Sequence, residues 1–501
     1  MKKITYILSV VFATITLVAC NNIKVPENYK ESGTIPDIYP DYVETTIPVN
    51  ISPLCFMYKG EATNMVTRIS YQDSEILCGG IKAMPDIDEW KELLNKAKGN
   101  KLQVTVYTEN NDGWTQHKPF AISVSPDSIN PYISYRLIPP SYVTYEQLTI
   151  NQRCLENFDE SVIYDNMLCS SESGEQCINC HSYQNYNPNK MQFHARQQNG
   201  GTIIAMDGKI KKINMKHDSL LSAGVYPAWH PRLNLIAYSS NRTQQNFHTK
   251  NLNKVEVFDT ESDLILFDAD NNTIMRVSCL KEEMESFPFW SPDGKWLYYC
   301  SARIEFSDSI GKEYDANFRY NEIKYSICRK PFYEKEMRFG DTEIIWDATA
   351  TNKSATLPRI SPCGNYLVYA QGEYGCFHVW HNDADLYIMD LRTMESKPMT
   401  GLNSNRSESY HSWSSNGRWM IFNSRRNDGN YTRPFISHID SNGNASKPFE
   451  LPQADPELHK VMTESYNVVE FMNGPVDISP RNFANTLKGS EGEKVTMRDE
   501  R

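Results

Sequence analysis

Four stretches of this chain repeat one another: YPAWHPRLNLIAYSSN (226–241), FPFWSPDGKWLYYCSA (287–302), LPRISPCGNYLVYAQG (357–372) and YHSWSSNGRWMIFNSR (410–425). Each opens on an aromatic residue or leucine, follows it with Pro or His, and places a large apolar residue two positions later. A turn comes next, then a strand of alternating apolar residues. The large positions are Trp229, Trp290, Ile360 and Trp413, spaced by 61, 70 and 53 residues. Self-similarity at this spacing limits the fold to stacked or radial repeats, each unit burying a face that it cannot bury alone. Ser291-Pro292-Asp293-Gly294 is turn chemistry, and the strand after it buries one face.

Between the copies lie further strand-like runs: VEVFD (255–259), DLILFD (263–268), TIMRVS (273–278), EIIWD (343–347) and DLYIMD (385–390). About four strands per unit fits the blade of a β-propeller. The expected fold is therefore mainly β, with the propeller over 197–455. Segments 193–214 and 432–454 are candidates for degenerate blades, since a closed ring usually takes more than four.

The SPDGKW-type box resembles the repeat of TolB-like propellers, also found in prolyl oligopeptidases. The likeness is strongest at 287–302 and 410–425. It weakens where Cys363 replaces the turn Asp and where Leu233-Asn234 replaces Asp-Gly. WSPDGKWLYYCSA and SYHSWSSNGRW also carry a resemblance to exported TolB-like lipoproteins that have one C-x-x-C-H ahead of the propeller.

Here that motif is Cys177-Ile178-Asn179-Cys180-His181. Two thiols at this spacing can add across the vinyl groups of a haem, and the adjacent imidazole then ligates the iron. One haem c is expected, held by Cys177 and Cys180 with His181 proximal. The alternative is a structural dithiol, either a disulfide or half of a zinc site. No second C-x-x-C or H-x-x-x-H completes a zinc site. For the sixth iron position the nearby candidates are His194 and Met191. Against these stand a hydrogen-bonded loop histidine and a soft apolar packing group. Arg196 suits a haem propionate, or is simply a surface arginine.

The N-terminus agrees with export. Lys2-Lys3 precede an apolar run, ITYILSVVFATITLVA (4–19), that is short for a membrane span. Leu17-Val18-Ala19-Cys20 resembles a lipobox, which implies lipid on Cys20 and a place in the cell envelope of a Gram-negative bacterium, periplasmic or surface-facing. The alternatives are an ordinary signal or an uncleaved anchor. Residues 21–44, polar and Pro-rich, read as a tether. Residues 45–140 read as a small α+β domain: strands at 65–71, 102–109 and 120–125, and a helix at 88–99 with Trp90, Leu93, Leu94 and Ala97 on one face. Residues 141–196 read as a helical and loop segment carrying the haem motif, and 456–501 as an extension disordered at its end.

Net charge is 51 − 62 = −11, which argues against nucleic acid as a partner. Twelve cysteines less Cys20, Cys177 and Cys180 leave nine, an odd number. His230, His378, His381 and His411 lie in or beside propeller boxes. They read as turn caps or links between blades, with a metal cluster as the alternative. Asp268-Ala269-Asp270-Asn271-Asn272 imitates the start of a calcium loop but lacks its later Gly and Glu, so an Asx-rich turn is expected. No G-x-S-x-G or Walker string occurs, so no peptidase or nucleotide chemistry is assigned.

The functional expectation is electron transfer, or redox or ligand sensing, by an envelope protein with an unknown redox partner. The alternative is a propeller scaffold gripping an envelope protein or glycan. Haem catalysis is a third possibility; it needs an open distal side, and no distal acid–base pair is identifiable.

Overall fold

The predicted turns close their hairpins through side chains. In the computed structural model, Asp293 Oδ1 accepts from Ser291 Oγ at 2.6 Å and from the Lys295 N–H at 3.0 Å, and Ser291 Oγ accepts from the Trp296 N–H. Asn416 and Ser414 repeat this arrangement. His230 substitutes in the first box, its Nδ1 accepting from the Arg232 and Leu233 N–H groups. The structure describes residues 23–140, 145–170, 176–278, 280 and 282–498.

Six four-stranded antiparallel sheets follow, some with short strands added at the edge. The inner strands are Ser465–Met472 (blade 1), Gln176–Gln184 (blade 2), Val225–Trp229 (blade 3), Glu283–Trp290 (blade 4), Ser354–Ile360 (blade 5) and Glu408–Trp413 (blade 6). Each lies against the inner strand of the next blade, and the last returns to the first, so the ring is closed. The fold is a six-bladed β-propeller. Blade 1 is built from both ends of the chain: Ser465–Met472 pairs with Tyr132–Ile138, which continues into Thr149–Cys154 and Glu160–Asp165. Tryptophans lock neighbouring blades, Trp290 Nε1 donating to the Ala228 carbonyl and Trp413 Nε1 to that of Arg359.

The propeller therefore begins at Tyr132 rather than 197, and the expected helical and loop segment 141–196 is mainly strand over its described residues, 145–170 and 176–196. Its strands are hard to see in the sequence because they bury polar side chains. Gln152 exchanges hydrogen bonds with the Val476 backbone, and Arg153 donates to Gln453. The 193–214 candidate supplies strands of blade 2, whereas 432–454 holds the outer strands of blade 6 rather than a blade of its own. The segment after the propeller is ordered as far as Arg498. Helix Pro480–Gly489, capped by Ser479, buries Phe483, Ala484 and Leu487. Glu493–Lys494 and Thr496–Met497 then add parallel edges to blades 2 and 3. Its charges lie on the solvent side of buried contacts, so charge content misled the disorder reading.

Ahead of the propeller, a seven-stranded sheet packs against helix Ile87–Ala97, which buries Trp90, Leu93, Leu94 and Ala97. Its core is continuous with blades 1 and 6 through Trp419, Ile436, Phe449 and Phe471. Residues 23–44 are no free tether: Ile38 and Tyr42 are buried, and Lys30–Glu31 pairs with Gly113–Gln116. Side-chain docking holds this segment where no periodic ladder does. Among the described residues, no helix is long and apolar enough to cross a membrane.

Candidate functional site

All six inner strands carry the same irregularity. At one point in each, two residues oppose a single residue of the second strand. The first of the two has left-handed backbone: Cys180 (φ 57), Tyr226 (φ 51), Phe287 (φ 53), Leu357 (φ 56), Tyr410 (φ 46) and Val468 (φ 51). Such conformations cost roughly 1–3 kcal/mol each for residues other than glycine, and bulges re-aim side chains. All six residues line one central cavity of about 680 Å³. That volume falls within the ~300–1,000 Å³ of small-molecule and cofactor sites.

The repeat thus has two members beyond the four legible ones: Cys180-His181-Ser182-Tyr183 and Val468-Val469-Glu470-Phe471. The C-x-x-C-H string ends inside a propeller box. Cys177, Cys180 and His181 all reach the cavity wall. Both thiols are free. Burial pushes the Cys180 thiol up, against the pull of Arg196 and Arg136. His181 is buried, and neither Nδ1 nor Nε2 makes a well-formed hydrogen bond, although the Val468 backbone lies close enough to favour its protonated form. Burial, helped by the Arg136 charge, pushes its pKa down to about 3, so the ring is neutral.

The wall is otherwise aromatic and basic. The rings of Tyr226 and Phe287 lie 4.2 Å apart. Arg136 donates to the Ile178 carbonyl and Asn467 Oδ1, both at 2.8 Å, and its Nε has no partner. Arg359 donates to the Pro358 carbonyl and lies 4.8 Å from the Phe289 ring centre. Arg425 stacks 3.7 Å above Trp380. Burial raises the Glu470 carboxyl to about 7 despite Arg359. Arg136 and Arg359 thus bond to neutral oxygens, and burial favours the uncharged form of Glu470, the acid beside Arg359. This arrangement favours an anion in the cavity.

The two candidates for the sixth iron position are not brought to this cavity. His194, on the second strand of blade 2, has Nδ1 3.0 Å from Thr202 Oγ1, and burial holds its pKa near 3. Met191 is fully buried in the core between blades 1 and 2 with Ile178 and Phe193. Both belong to the blade interior, because the hairpin folds them back along the inner strand rather than around an open loop. Arg196 does line the cavity, opposite Cys177 in the ladder. Cys20 lies outside the described residues.

The box histidines are structural links. His230 Nε2 is 3.2 Å from the Gly294 carbonyl of the next blade, and His411 Nε2 is 2.9 Å from the Val368 carbonyl of the previous one. His378 meets Thr356, and His381 meets Glu256 at 2.8 Å. Among the described residues, no group of three or more His, Cys, Asp or Glu side chains is arranged to hold a metal ion. Asp268 Oδ1 accepts from the Asp270 and Asn271 N–H groups, an Asx turn. Sequence reasoning missed Arg136, Arg359, Arg425 and Glu470. The usable signal was the first position of each box, which faces the cavity in every blade.

Comparison with known proteins adds little. No protein-family profile matches the chain, and no curated protein sequence matches it. Solved structures give distant likenesses. A puromycin-hydrolyzing peptidase of Mycobacterium tuberculosis is 7% identical, with a TM-score of 0.33, over 81% of this chain and 50% of that one. The β-propeller domain of the Trilobed protease from Pyrococcus furiosus is 11% identical, with a TM-score of 0.30, over 71% of this chain and 95% of that one. Prolyl oligopeptidase B from Galerina marginata is 10% identical, with a TM-score of 0.33, over 70% of this chain and 42% of that one. The chain spans about half the length of both whole peptidases. At these scores the propeller assignment rests on the strand order and ring closure above.

Proposed function

We propose that this protein is an envelope lipoprotein whose propeller holds one haem c in its central cavity and works as a sensor or binder of a small ligand. Cys177 and Cys180 would hold the haem by thioether bonds, and His181 is the proximal iron ligand. The haem supplies a redox-active iron. Arg136, Arg196 and Arg359 offer guanidinium groups suited to its two carboxylates. The observation that carries the reading is His181: a buried imidazole on the cavity wall with neither nitrogen in a well-formed hydrogen bond, directly after two cysteines on the same wall. A buried polar group left so is rare unless a ligand completes it.

Sensing is favoured over electron transfer by the wall itself. Among the described residues lining the cavity, His181 is the one histidine, and no methionine joins it. The test is the reduced absorption spectrum of the protein matured with haem-attachment machinery, with and without carbon monoxide. A shift on adding the gas is expected from the wild type. A six-coordinate spectrum that ignores the gas favours electron transfer.

A second reading has its own support. His411 shows that a histidine at this box position can serve as a hydrogen-bonded link between blades. The arginine-lined cavity then suits an organic carboxylate, such as an acidic glycan, with no haem present.

A further inference from the structure

We infer that the face formed by Ile81, Met84, Leu458 and Val461 rests on the bilayer that holds the lipid of Cys20. This rests on the lipoprotein reading but not on the haem.

The chain docks onto the body almost as soon as it leaves that cysteine. Ile23 packs against Gly79, its side chain 3.2 Å from the place a Cβ there would take. Two residues lie between Cys20 and Ile23, and the three backbone steps that join them span at most roughly 11 Å. An anchor this short brings the surface around Gly79 to the membrane, whereas the expected tether of 21–44 would have left the body free to swing.

That surface carries exposed apolar side chains around a cluster of paired charges. Ile81, two residues from Gly79, is 56% exposed and Met84 is 53% exposed. Lys82, between them, pairs with Asp455 at 2.7 Å and Glu457 at 2.8 Å. These acids bring in the helical turn Leu458–Val461, whose Val461 is 73% exposed and Leu458 41%. Lys460 closes the contact, its Nζ 3.3 Å from Met57 Sδ, and Met57 faces Lys82 in the ladder. Single exposed apolar residues are ordinary, but a group of them marks a contact surface. Lys82 and Lys460 flank the group with long apolar stems and charged tips, the arrangement that suits a headgroup boundary. A bilayer within reach of the anchor is the occupant that both observations share.

The test uses the full-length acylated protein in phosphatidylethanolamine–phosphatidylglycerol vesicles. An environment-sensitive fluorophore is placed on Val461→Cys or, as a control, on Ile344→Cys, which is 62% exposed on the outer strand of blade 4. Both variants carry Cys363→Ser, because Cys363 is exposed. Brominated lipids should quench the Val461 probe at least several-fold more than the Ile344 probe. Equal, weak quenching at both sites in protein whose N-terminal peptide carries lipid overturns the seated face and leaves the lipoprotein reading intact. It also makes a protein partner the occupant to seek. An N-terminal peptide without lipid overturns both.

Discussion

His181 and His411 occupy the same position in blades 2 and 6, one residue beyond the left-handed bulge, yet they differ in what they touch. His411 Nε2 lies 2.9 Å from the Val368 carbonyl of the neighbouring blade, whereas neither nitrogen of His181 makes a well-formed hydrogen bond. The propeller itself supplies the partner of His411.

The difference is measurable in haem-free protein. His411→Leu strips the Val368 carbonyl of its donor and should destabilise by about 1–3 kcal/mol. His181→Leu removes two polar atoms that make no well-formed hydrogen bond and should be neutral or stabilising. Urea unfolding of the two variants checks this. Equal losses would mean that His181 has a structural role like that of His411.

Ring closure should depend on the strand that joins the two ends of the chain. Phe471 is buried in that strand, in the box position that tryptophan holds elsewhere. Phe471→Ala should cost about 3–5 kcal/mol. Ile344→Ala, on an exposed outer strand, should change stability by less than about 0.5 kcal/mol. Thermal or urea unfolding distinguishes closure by this strand from an open ring.

Trp229, Trp290 and Trp413 made the propeller legible, because a large residue after a bulge and before a turn marks an inner strand. Tyr183 and Phe471 hold the same position, but the residues before them, Cys180-His181 and Val468-Val469, lack the Pro of most copies. The box at Cys180 was also read as haem chemistry, which hid that it is a strand as well. Thr149–Cys154 escaped because Asn151, Gln152 and Arg153 are buried polar residues bonded to Thr149, the Val476 backbone and Gln453, which breaks apolar alternation. At the site, Cys177, Cys180 and His181 were legible from spacing. Arg136, Arg359 and Glu470 were not, because only the closed ring brings them together. His194 and Met191 were near in sequence, and the hairpin turns them into the blade core.

Acid should unfold the protein in a defined window. Burial depresses His181, His194, His378 and His411 to about 3 and His230 to about 4, from about 6.5 when unfolded. The unfolded chain therefore binds more protons between these values, and stability falls as pH drops through the window. Glu285 and Glu470, raised to about 7, act oppositely between about 4.5 and 7, their contribution being lost as pH rises. Asp259 and Asp385, raised to about 6, oppose the histidines in the same way down to their unfolded value of 3.8. The steepest acid loss in haem-free protein is thus expected below about pH 4, where the raised acids no longer oppose the histidines and Asp390, lowered to about 2 by Arg392, adds to them. Stability measured against pH checks it, and a flat profile from pH 6 to 3.5 would contradict the burial of these rings.

The arginines should tune the iron. Oxidised iron carries one more positive charge than reduced iron, so a nearby guanidinium favours reduction. Arg359→Gln should lower the reduction potential of the matured protein in a redox titration. An unchanged potential would place Arg359 away from the haem.

The central claim meets its most direct test on a denaturing gel. The protein is produced with haem-attachment machinery, denatured, and stained for haem beside the Cys177→Ser, Cys180→Ser double variant. Wild-type protein that keeps one covalent haem through denaturation, with no stain in the variant, is the result predicted. Wild-type protein that is fully matured, folded and unstained would contradict it and leave the cavity to another anion.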